Sequence, residues 1–375
     1  MRVDVVDPSA YTPPYDHSLC AALAAAGAAV QLITSPFAYG SPPAPVGYAR
    51  REDFYRLVRG PAGSRRRQLG KLLEHGPDMA RYRAAARSAD VVHFQWLPVP
   101  WLDRHLLPSR PMVLTAHDLL PRESRPGQVA AQRRLYDAVD AVVVHSAFGR
   151  DQLVQGLEVP ANKVTVIPHG AFDYLTSVPG GELPGELGPD ADRRERPVVM
   201  FFGLLRPYKG LDVLFRAWRA LNWVAGGPGA ELWIVGYPRV PLEELSAQAP
   251  PGVRMVPRFV SEPELAACFR RADLLVLPYL SRERFDFSGV LATALAFGTP
   301  AVISDVGGFS EVAATGAARL VAPGDAAALT SALSELITDD EQRRRMAESA
   351  RAAASGPYSW SEVAARTLAL YETIS

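Results

Sequence analysis

Three of the forty basic residues are lysine (Lys71, Lys163 and Lys209), only two residues of 375 are cysteine, and formal net charge is absent. Each shortage excludes something. Cys20 and Cys268 stand far apart in apolar helical patterns, with no Cys-x-x-Cys or Cys/His spacing, which rules out a disulfide framework and a structural zinc site. They read as buried reduced thiols. Forty acidic against forty basic side chains exclude bulk nucleic-acid binding, which needs a strong positive field. No run of ~18 apolar residues occurs, so no membrane-spanning helix is expected. Met1 leads directly into Val3-Asp4-Val5-Val6 without the apolar core and small-residue cleavage site of a secretory signal, and the expected location is cytoplasmic.

What is present fits a globular α/β protein. The chain is 48% hydrophobic and 21% charged, and its length suits two domains rather than one core. Short β-branched runs at Val3–Val6, Val30–Ile33, Val91–Phe94, Met112–Ala116, Ala141–His145 and Val164–Ile167 alternate with helical patterns such as Ser18–Ala26 and Ser146–Leu157. Such alternation predicts a parallel sheet covered on both faces. From about 173 to 196 the Pro/Gly density rises to that of a linker. Alternation restarts with Val198–Phe202, Leu232–Val235, Val253–Val256, Leu274–Leu277, Ala301–Ser304 and Ala318–Val321, and the chain closes in helices from Asp325, Asp339 and Ser359. Ser261-Glu-Pro-Glu264 is a capping box. The pattern predicts a domain over 1–172, a linker over 173–196 and a second domain over 197–357. Both are Rossmann-like and face each other across a cleft, with ligands beyond the carboxyl ends of the strands.

Three segments carry chemistry. In Phe201-Phe-Gly-Leu-Leu-Arg-Pro-Tyr-Lys-Gly-Leu-Asp212, a buried strand gives way to a loop with Gly203, Arg206, Lys209 and Gly210, then to a helix start. Two cations converging on a helix N-terminus suit a phosphate or diphosphate. In Phe285-Asp-Phe-Ser-Gly-Val-Leu-Ala-Thr293, Ser288 and Gly289 would offer backbone N–H groups at a helix start. In Ser304-Asp-Val-Gly-Gly-Phe-Ser-Glu311, Gly307 and Gly308 permit close backbone approach and Glu311 would accept sugar or ribose hydroxyls.

Together with Phe259-Val-Ser-Glu-Pro-Glu-Leu-Ala-Ala-Cys-Phe269, Ala272-Asp-Leu-Leu-Val-Leu-Pro-Tyr279 and Ile167-Pro-His-Gly-Ala-Phe-Asp173, these segments resemble the retaining family-4 glycosyltransferases over most of residues 141–330. The first 140 residues match only loosely. The resemblance implies a GT-B fold, with the donor nucleotide in the C-terminal domain, the acceptor mainly in the N-terminal one, and the last helix, within 358–375, packing back onto the N-terminal domain. It implies that Arg206 and Lys209 hold the donor diphosphate, that backbone at Arg258, Phe259 and Val260 holds the base, and that Asp286, Phe287, Ser288, Gly289, Gly307, Gly308 and Phe309 line sugar and phosphates. The family commonly carries two glutamates eight positions apart in the donor loop. Phe285 and Thr293 stand there in this chain, as in a subset with Ser-Gly-Val-Leu and threonine. Glu283 or Asp286 would replace the first carboxylate, and Thr293 would hydrogen-bond a ribose.

In the N-terminal half, His117 ends a strand in Leu114-Thr-Ala-His-Asp118, where the family often places a histidine near the transferred sugar. The other reading of His117 is a structural histidine bonded to Asp118 or a backbone carbonyl. His93, Gln95 and Trp96 also end a strand and would face the cleft, Trp96 offering an apolar face for stacking. The family's Gly-Gly turn after the first strand is replaced by Asp7-Pro-Ser-Ala-Tyr-Thr-Pro-Pro-Tyr-Asp-His17, which adds Tyr15 to the acceptor side.

A basic stretch contains Arg50, Arg51, Arg56, Arg59, Arg65, Arg66, Arg67 and Lys71. It reads first as a solvated helix face diluted by Glu52, Asp53 and Glu74, and second as a surface for an anionic membrane or a phosphorylated acceptor. Asp190-Ala-Asp192 imitates a metal motif but lies in the linker, so neither a metal nor another cofactor is expected. The expected reaction moves a sugar from a nucleoside-diphosphate sugar to a hydroxyl acceptor, with Arg206 and Lys209 stabilising the leaving diphosphate. The alternatives are a non-catalytic nucleotide-sugar-binding protein and a GT-B nucleotide-sugar epimerase. Gly226-Gly-Pro-Gly229 precedes a strand and is no dinucleotide fingerprint.

Overall fold

The computed structural model describes residues 1–61, 63–120, 127–191, 195–221, 229–280 and 286–375. The chain divides into two compact units. One contains Met1–Gly170, Asp286 and Ser359–Ser375, the other 171–280 and Phe287–Tyr358. Among the described residues no helix is long and apolar enough to cross a membrane.

The first unit is built on β1 (Arg2–Asp7), β2 (Ala29–Thr34), β3 (Ala49–Glu52), β4 (Val91–Phe94), β5 (Met112–Thr115), β6 (Ala141–Val144) and β7 (Val164–Val166). They form one sheet in the order β3-β2-β1-β4-β5-β6-β7, with every neighbouring pair parallel. Every residue of β4, β5 and β6 is buried, which explains why they are apolar apart from His93 and Thr115, whose side chains bond to each other. The edge strand β3, Ala-Arg-Arg-Glu, has no apolar signal. It exists because it continues the β2 register from Gln31↔Ala49 to Thr34↔Glu52.

Around this sheet lie α1 (Pro13–Ala25), α2 (Arg65–Ala85), α3 (Pro100–Asp103), α4 (Gln128–Ala138) and α5 (Ala147–Asp151). Pro13 and Pro14 start α1, five residues earlier than the periodicity predicts, because proline costs nothing where the N–H groups have no helical acceptor. Ser146 caps α5 by accepting the Gly149 N–H, and the chain continues through a π turn at Gln152–Gly156.

The second unit contains β8 (Val198–Phe202), β9 (Glu231–Val235), β10 (Arg254–Val256), β11 (Leu274–Leu277), β12 (Ala301–Ser304) and β13 (Ala318–Val321) in the parallel order β10-β9-β8-β11-β12-β13. Its helices are α6 (Leu211–Ala220), α7 (Leu242–Gln248), α8 (Glu262–Arg271), α9 (Gly289–Phe297), α10 (Phe309–Ala313), α11 (Ala326–Thr338) and α12 (Asp340–Ser355). The capping box at Ser261 and Glu264 opens α8. The last helix, α13 (Trp360–Ile374), belongs to the first unit, where it packs on α1. A Cβ on Gly170 would lie 2.4 Å from the Trp360 ring, so this approach requires glycine.

The segment expected as a linker is instead part of the second unit. Leu175 and Leu187 are buried in it, and arginines hold its carbonyls. Arg270 donates to Thr176 O and Val178 O, Arg254 to Leu187 O, and the buried Arg271 to Ala191 O and Arg196 O. A Pro/Gly-rich chain leaves many carbonyls unpaired by regular structure, and a planar guanidinium satisfies two of them at once. This gives one structural use for the arginine excess. Asp190 is exposed in the same segment. Asp192, like Gly226–Pro228, lies outside the described residues.

Candidate active site

In the second unit, the strand order reverses between β8 and β11, and the loops after these strands diverge there, the usual position of a ligand crevice in an open α/β sheet. The β8 loop is fixed by two close approaches. A Cβ on Gly236 would lie 1.7 Å from Gly203 O, and a Cβ on Gly210, whose φ is +69°, would lie 1.8 Å from Pro278 O. Arg206 is half-buried with its Nε buried and unpartnered among the described residues. Lys209 is 8% exposed. Its ammonium lies 3.7 Å from the centre of the Tyr279 ring and donates to the Tyr279 hydroxyl. That hydroxyl lies 3.3 Å from Ser288 Oγ, at the start of α9. Arg206, Lys209, Tyr279 and Ser288 thus occupy the reversal point.

Other expected donor residues fare differently. Thr293 is buried and its hydroxyl donates to Gly289 O at 2.9 Å, leaving oxygen lone pairs only. Phe287 is buried against Tyr358 and Phe309. Gly307, at φ +55°, and Gly308 form the turn into α10, and Glu311 lies half-buried in its first turn. Phe309 is a core residue. Its ring is fully buried and its N–H is spent on Val306 O, so it has nothing to offer a ligand. The N–H of Arg258 is likewise spent, on Val256 O, and its guanidinium is paired with Glu186 and Glu264. The Arg258 hydrogen bond is the first cause that holds Glu264 down to about 2 and Glu186 below its ordinary range. Val260 is half-buried. Phe259 is exposed and stacked on Tyr237 with ring centres 4.7 Å apart, and the guanidinium of Arg239 lies over the Tyr237 ring. Sequence reading missed Tyr237 and Arg239, although Gly236-Tyr-Pro-Arg239 comes after β9 as directly as the Arg206 loop comes after β8.

Asp286, expected to face the sugar, belongs to the first unit and is fully buried. Its carboxylate accepts the His145 N–H at 2.7 Å and the Ser146 hydroxyl, and a Cβ on Gly149 would approach it to 2.8 Å. A carboxylate held this way at the start of α5 is structural. Glu283 and Phe285 lie outside the described residues.

The first unit presents a row of four histidines, one at or just beyond the end of each of β4, β5, β6 and β7: His93, His117, His145 and His169. Desolvation pushes all four below the ordinary imidazole range, His145 to about 4 and His93 and His169 to about 3. Tyr15 is buried among them, edge-on to His117 and His169, and burial raises its hydroxyl pKa. His93 does not face an open edge as expected. It is buried between Tyr371 Oη and Thr115 Oγ1, each at 2.7 Å, because α13 covers that position. Gln95 is also fully buried, with Oε1 3.0 Å from His117 Nε2. Trp96 is half-buried, stacked on His117 at 5.1 Å and held through Nε1–H to Thr12 Oγ1. Asp118 is half-buried.

In the β1 loop, Asp7 accepts the N–H groups of Ser9, Tyr11 and Thr12. Beside it Asp16 is buried and pushed well above the carboxylate range, by burial first and by the Asp7 charge second.

Comparison with known proteins shows the family. "Glycosyltransferase Family 4" matches residues 15–171 and "Glycosyl transferases group 1" matches residues 196–339. A D-inositol 3-phosphate glycosyltransferase of Corynebacterium glutamicum is 31% identical over 75% of this chain and 72% of its own length. The chain belongs to the family-4 glycosyltransferases.

The corresponding Nocardia farcinica glycosyltransferase is 32% identical over 75% of this chain, which spans 66% of that protein's length. A phosphatidyl-myo-inositol mannosyltransferase of Mycobacterium leprae is 34% identical over 58% of this chain and 56% of its own length. Among solved structures, Anabaena HepE in complex with UDP and glucose superposes with a TM-score of 0.74 at 19% identity, covering both chains completely. Sucrose-phosphate synthase from Thermosynechococcus elongatus gives 0.73 at 19% identity over 100% of this chain and 98% of that one. These likenesses establish the GT-B fold. In this family-4 glycosyltransferase the structure therefore gathers Gly203, Arg206, Lys209 and Ser288 at one strand-order reversal, and Tyr15, Gln95, Trp96 and His117 at the carboxyl edge of the other sheet.

Proposed function

We propose that this glycosyltransferase moves a sugar from a nucleoside-diphosphate sugar to a hydroxyl acceptor with retention of anomeric configuration and without a metal ion. The observation that carries the reading is that the buried Lys209 and Arg206, whose buried Nε–H lacks an acceptor among the described residues, stand in one loop at the reversal point of the second sheet. A diphosphate would supply that acceptor. As the bond from the anomeric carbon to the diphosphate breaks, negative charge grows on the leaving oxygen, and these cations with nearby N–H groups stabilise it. The acceptor oxygen bonds to the same face, and its proton passes to the leaving phosphate. Phe259 and Tyr237 offer a stacking face for the base, and we assign His117 of the first unit a role toward the transferred sugar. The acceptor groups belong to the first unit. The structural relative in complex with UDP and glucose supports a donor of this class, and the relatives named D-inositol 3-phosphate glycosyltransferase and phosphatidyl-myo-inositol mannosyltransferase support sugar transfer.

Peripheral contact with an anionic membrane is part of the proposal. Leu69, Leu72 and Leu73 are exposed on α2 at helical spacing after Arg65 and Arg66, an apolar strip beside cations.

Hydrolysis of a panel of nucleotide sugars, in EDTA and without acceptor, tests the donor reading. Slow release of nucleoside diphosphate from one donor is the expected result. Neither hydrolysis nor thermal stabilisation by any donor would overturn it.

A further inference from the structure

We propose that a groove of the first unit, between the loops after β2 and β3 and the start of α2, binds the phosphoryl group of a phosphorylated acceptor. The proposal rests on the transferase reading. The groove has a volume of about 460 Å³. Phe37, Val58 and Pro61 form apolar wall, and Arg56, Arg59 and Arg67 supply charge. The Pro36–Ala38 wall comes after β2 and the Tyr55–Pro61 wall after β3, so the groove opens on the same carboxyl edge as the Asp7 loop, Trp96 and His117.

The carboxylates nearby are otherwise engaged. Asp53 pairs with Arg51 and Arg56, Asp78 pairs with Arg81 and accepts the Tyr55 N–H, and Glu74 accepts the Leu57 N–H. Arg59 and Arg67 contact only carbonyls, Arg56 O at 2.9 Å and Gly60 O at 3.4 Å, and neither has an ion pair among the described residues. The first turn of α2 compounds the imbalance. It holds Arg65, Arg66 and Arg67 and no acidic residue, at the helix end whose dipole already favours anions. A phosphoryl dianion held by the forks of Arg59 and Arg67 would relieve this repulsion, and the apolar wall would take the carbon part of the acceptor.

The phosphoryl group has two sources, a soluble phosphate ester or a lipid headgroup, and the test separates them. Calorimetry on the full chain would use glycerol 3-phosphate, with glycerol as control, and sedimentation would use phosphatidylglycerol or phosphatidylcholine vesicles. Wild type and Arg206→Ala are expected to bind glycerol 3-phosphate alike, with glycerol silent, while the Arg59→Ala/Arg67→Ala double variant loses about tenfold or more. The Arg59→Lys/Arg67→Lys variant keeps the charge without the forks and is expected to bind at intermediate strength, which separates lost recognition from lost folding. Binding confined to phosphatidylglycerol vesicles and abolished by the double variant supports the groove with a lipid acceptor. Phosphate binding lost in Arg206→Ala and kept in the double variant overturns it, as does vesicle binding that survives the double variant and falls in Leu72→Ser/Leu73→Ser. No binding of either phosphate form overturns it too. Donor hydrolysis by wild type in the same preparations reports separately on the transferase reading.

Discussion

His117 Nδ1 lies 3.2 Å from His145 Nε2, and this contact sets proton positions through the histidine row. His145 Nδ1 lies 3.1 Å from the carbonyl of Ile167, which accepts only. That nitrogen therefore carries hydrogen, so in the neutral ring Nε2 accepts and His117 Nδ1 donates. His117 Nε2 keeps a lone pair. It faces Gln95 Oε1, while Gln95 Nε2 is buried without a partner among the described residues. Turning the amide over satisfies both groups, and we assign it so.

Nitrogen NMR of His117 is accordingly expected to show the Nδ1–H tautomer, unchanged from about pH 8 to about pH 5.5, since burial holds its pKa well below the ordinary range. In His145→Ala the Nδ1–H loses its acceptor and the other tautomer becomes accessible. An Nε2–H signal in wild type would refute the assignment.

Acid should destabilise the protein. Unfolded histidine titrates near 6.5, whereas folded His145 titrates at about 4 and folded His93 and His169 at about 3. Between pH 6.5 and 4 the unfolded chain binds more protons, so stability is present above that window and is lost as pH falls through it, by roughly 1.4 kcal/mol per pH unit for each fully titrating group. Asp7 and Asp16, both raised by burial first, act in the opposite sense, and the three histidines outnumber them. The urea midpoint at about pH 5 is expected below that at about pH 7.5, and an equal or higher midpoint would refute the account.

Arg206→Ala and Lys209→Ala should each lower kcat by about 10²-fold or more, in the range of a lost transition-state donor. A rise in KM alone would assign these residues to ground-state binding. Full turnover in both variants would refute the proposed stabilisation.

Gly210→Ala should destabilise the second unit by about 2 kcal/mol or more. It combines left-handed strain at φ +69° with a Cβ placed 1.8 Å from Pro278 O. Thermal unfolding measures it, and an unshifted Tm would mean that the β8 loop is free to move away.

Arg271→Lys retains a charge but not the fork that reaches Ala191 O, Arg196 O and Asp273. Buried carbonyls left unpaired cost about 1–3 kcal/mol each. Faster proteolysis within 171–196 is the expected sign, and unchanged protection would show that Leu175 and Leu187 alone secure the segment.

Much of this was legible in the sequence. Twelve of the strands fall on the short β-branched and apolar runs read from the sequence, as largely buried parallel strands should. The Arg206–Lys209 loop was visible because two cations stand between a strand and a helix start. What escaped was anything decided by neighbours. Strand β3 is made by the register of β2 rather than by its own residues. The 173–196 segment has linker composition, yet arginines distant in sequence secure it. Asp286 sits in a loop expected to bind donor, and only packing shows it spent on His145 and Ser146. Tyr237 was within reach of the sequence, because it stands two residues beyond the end of β9, at the edge where ligands bind.

The placement of chemistry at strand ends has a practical consequence for redesign. In the second unit the β8 loop is locked by Gly210 against Pro278 and by Gly236 against Gly203, so insertions there would disturb the cation pair itself. Among the described residues, no glycine of the β3 strand and the loop after it is pressed against backbone in this way. β3 is an edge strand of polar residues, and a Cβ on Gly60 would meet only the Ser64 hydroxyl, at 3.4 Å. A mutational library confined to Arg56, Arg59 and Arg67 would thus probe the proposed acceptor groove while sparing the buried Phe54, Tyr55 and Val58 and leaving the Arg206–Lys209 loop unaltered.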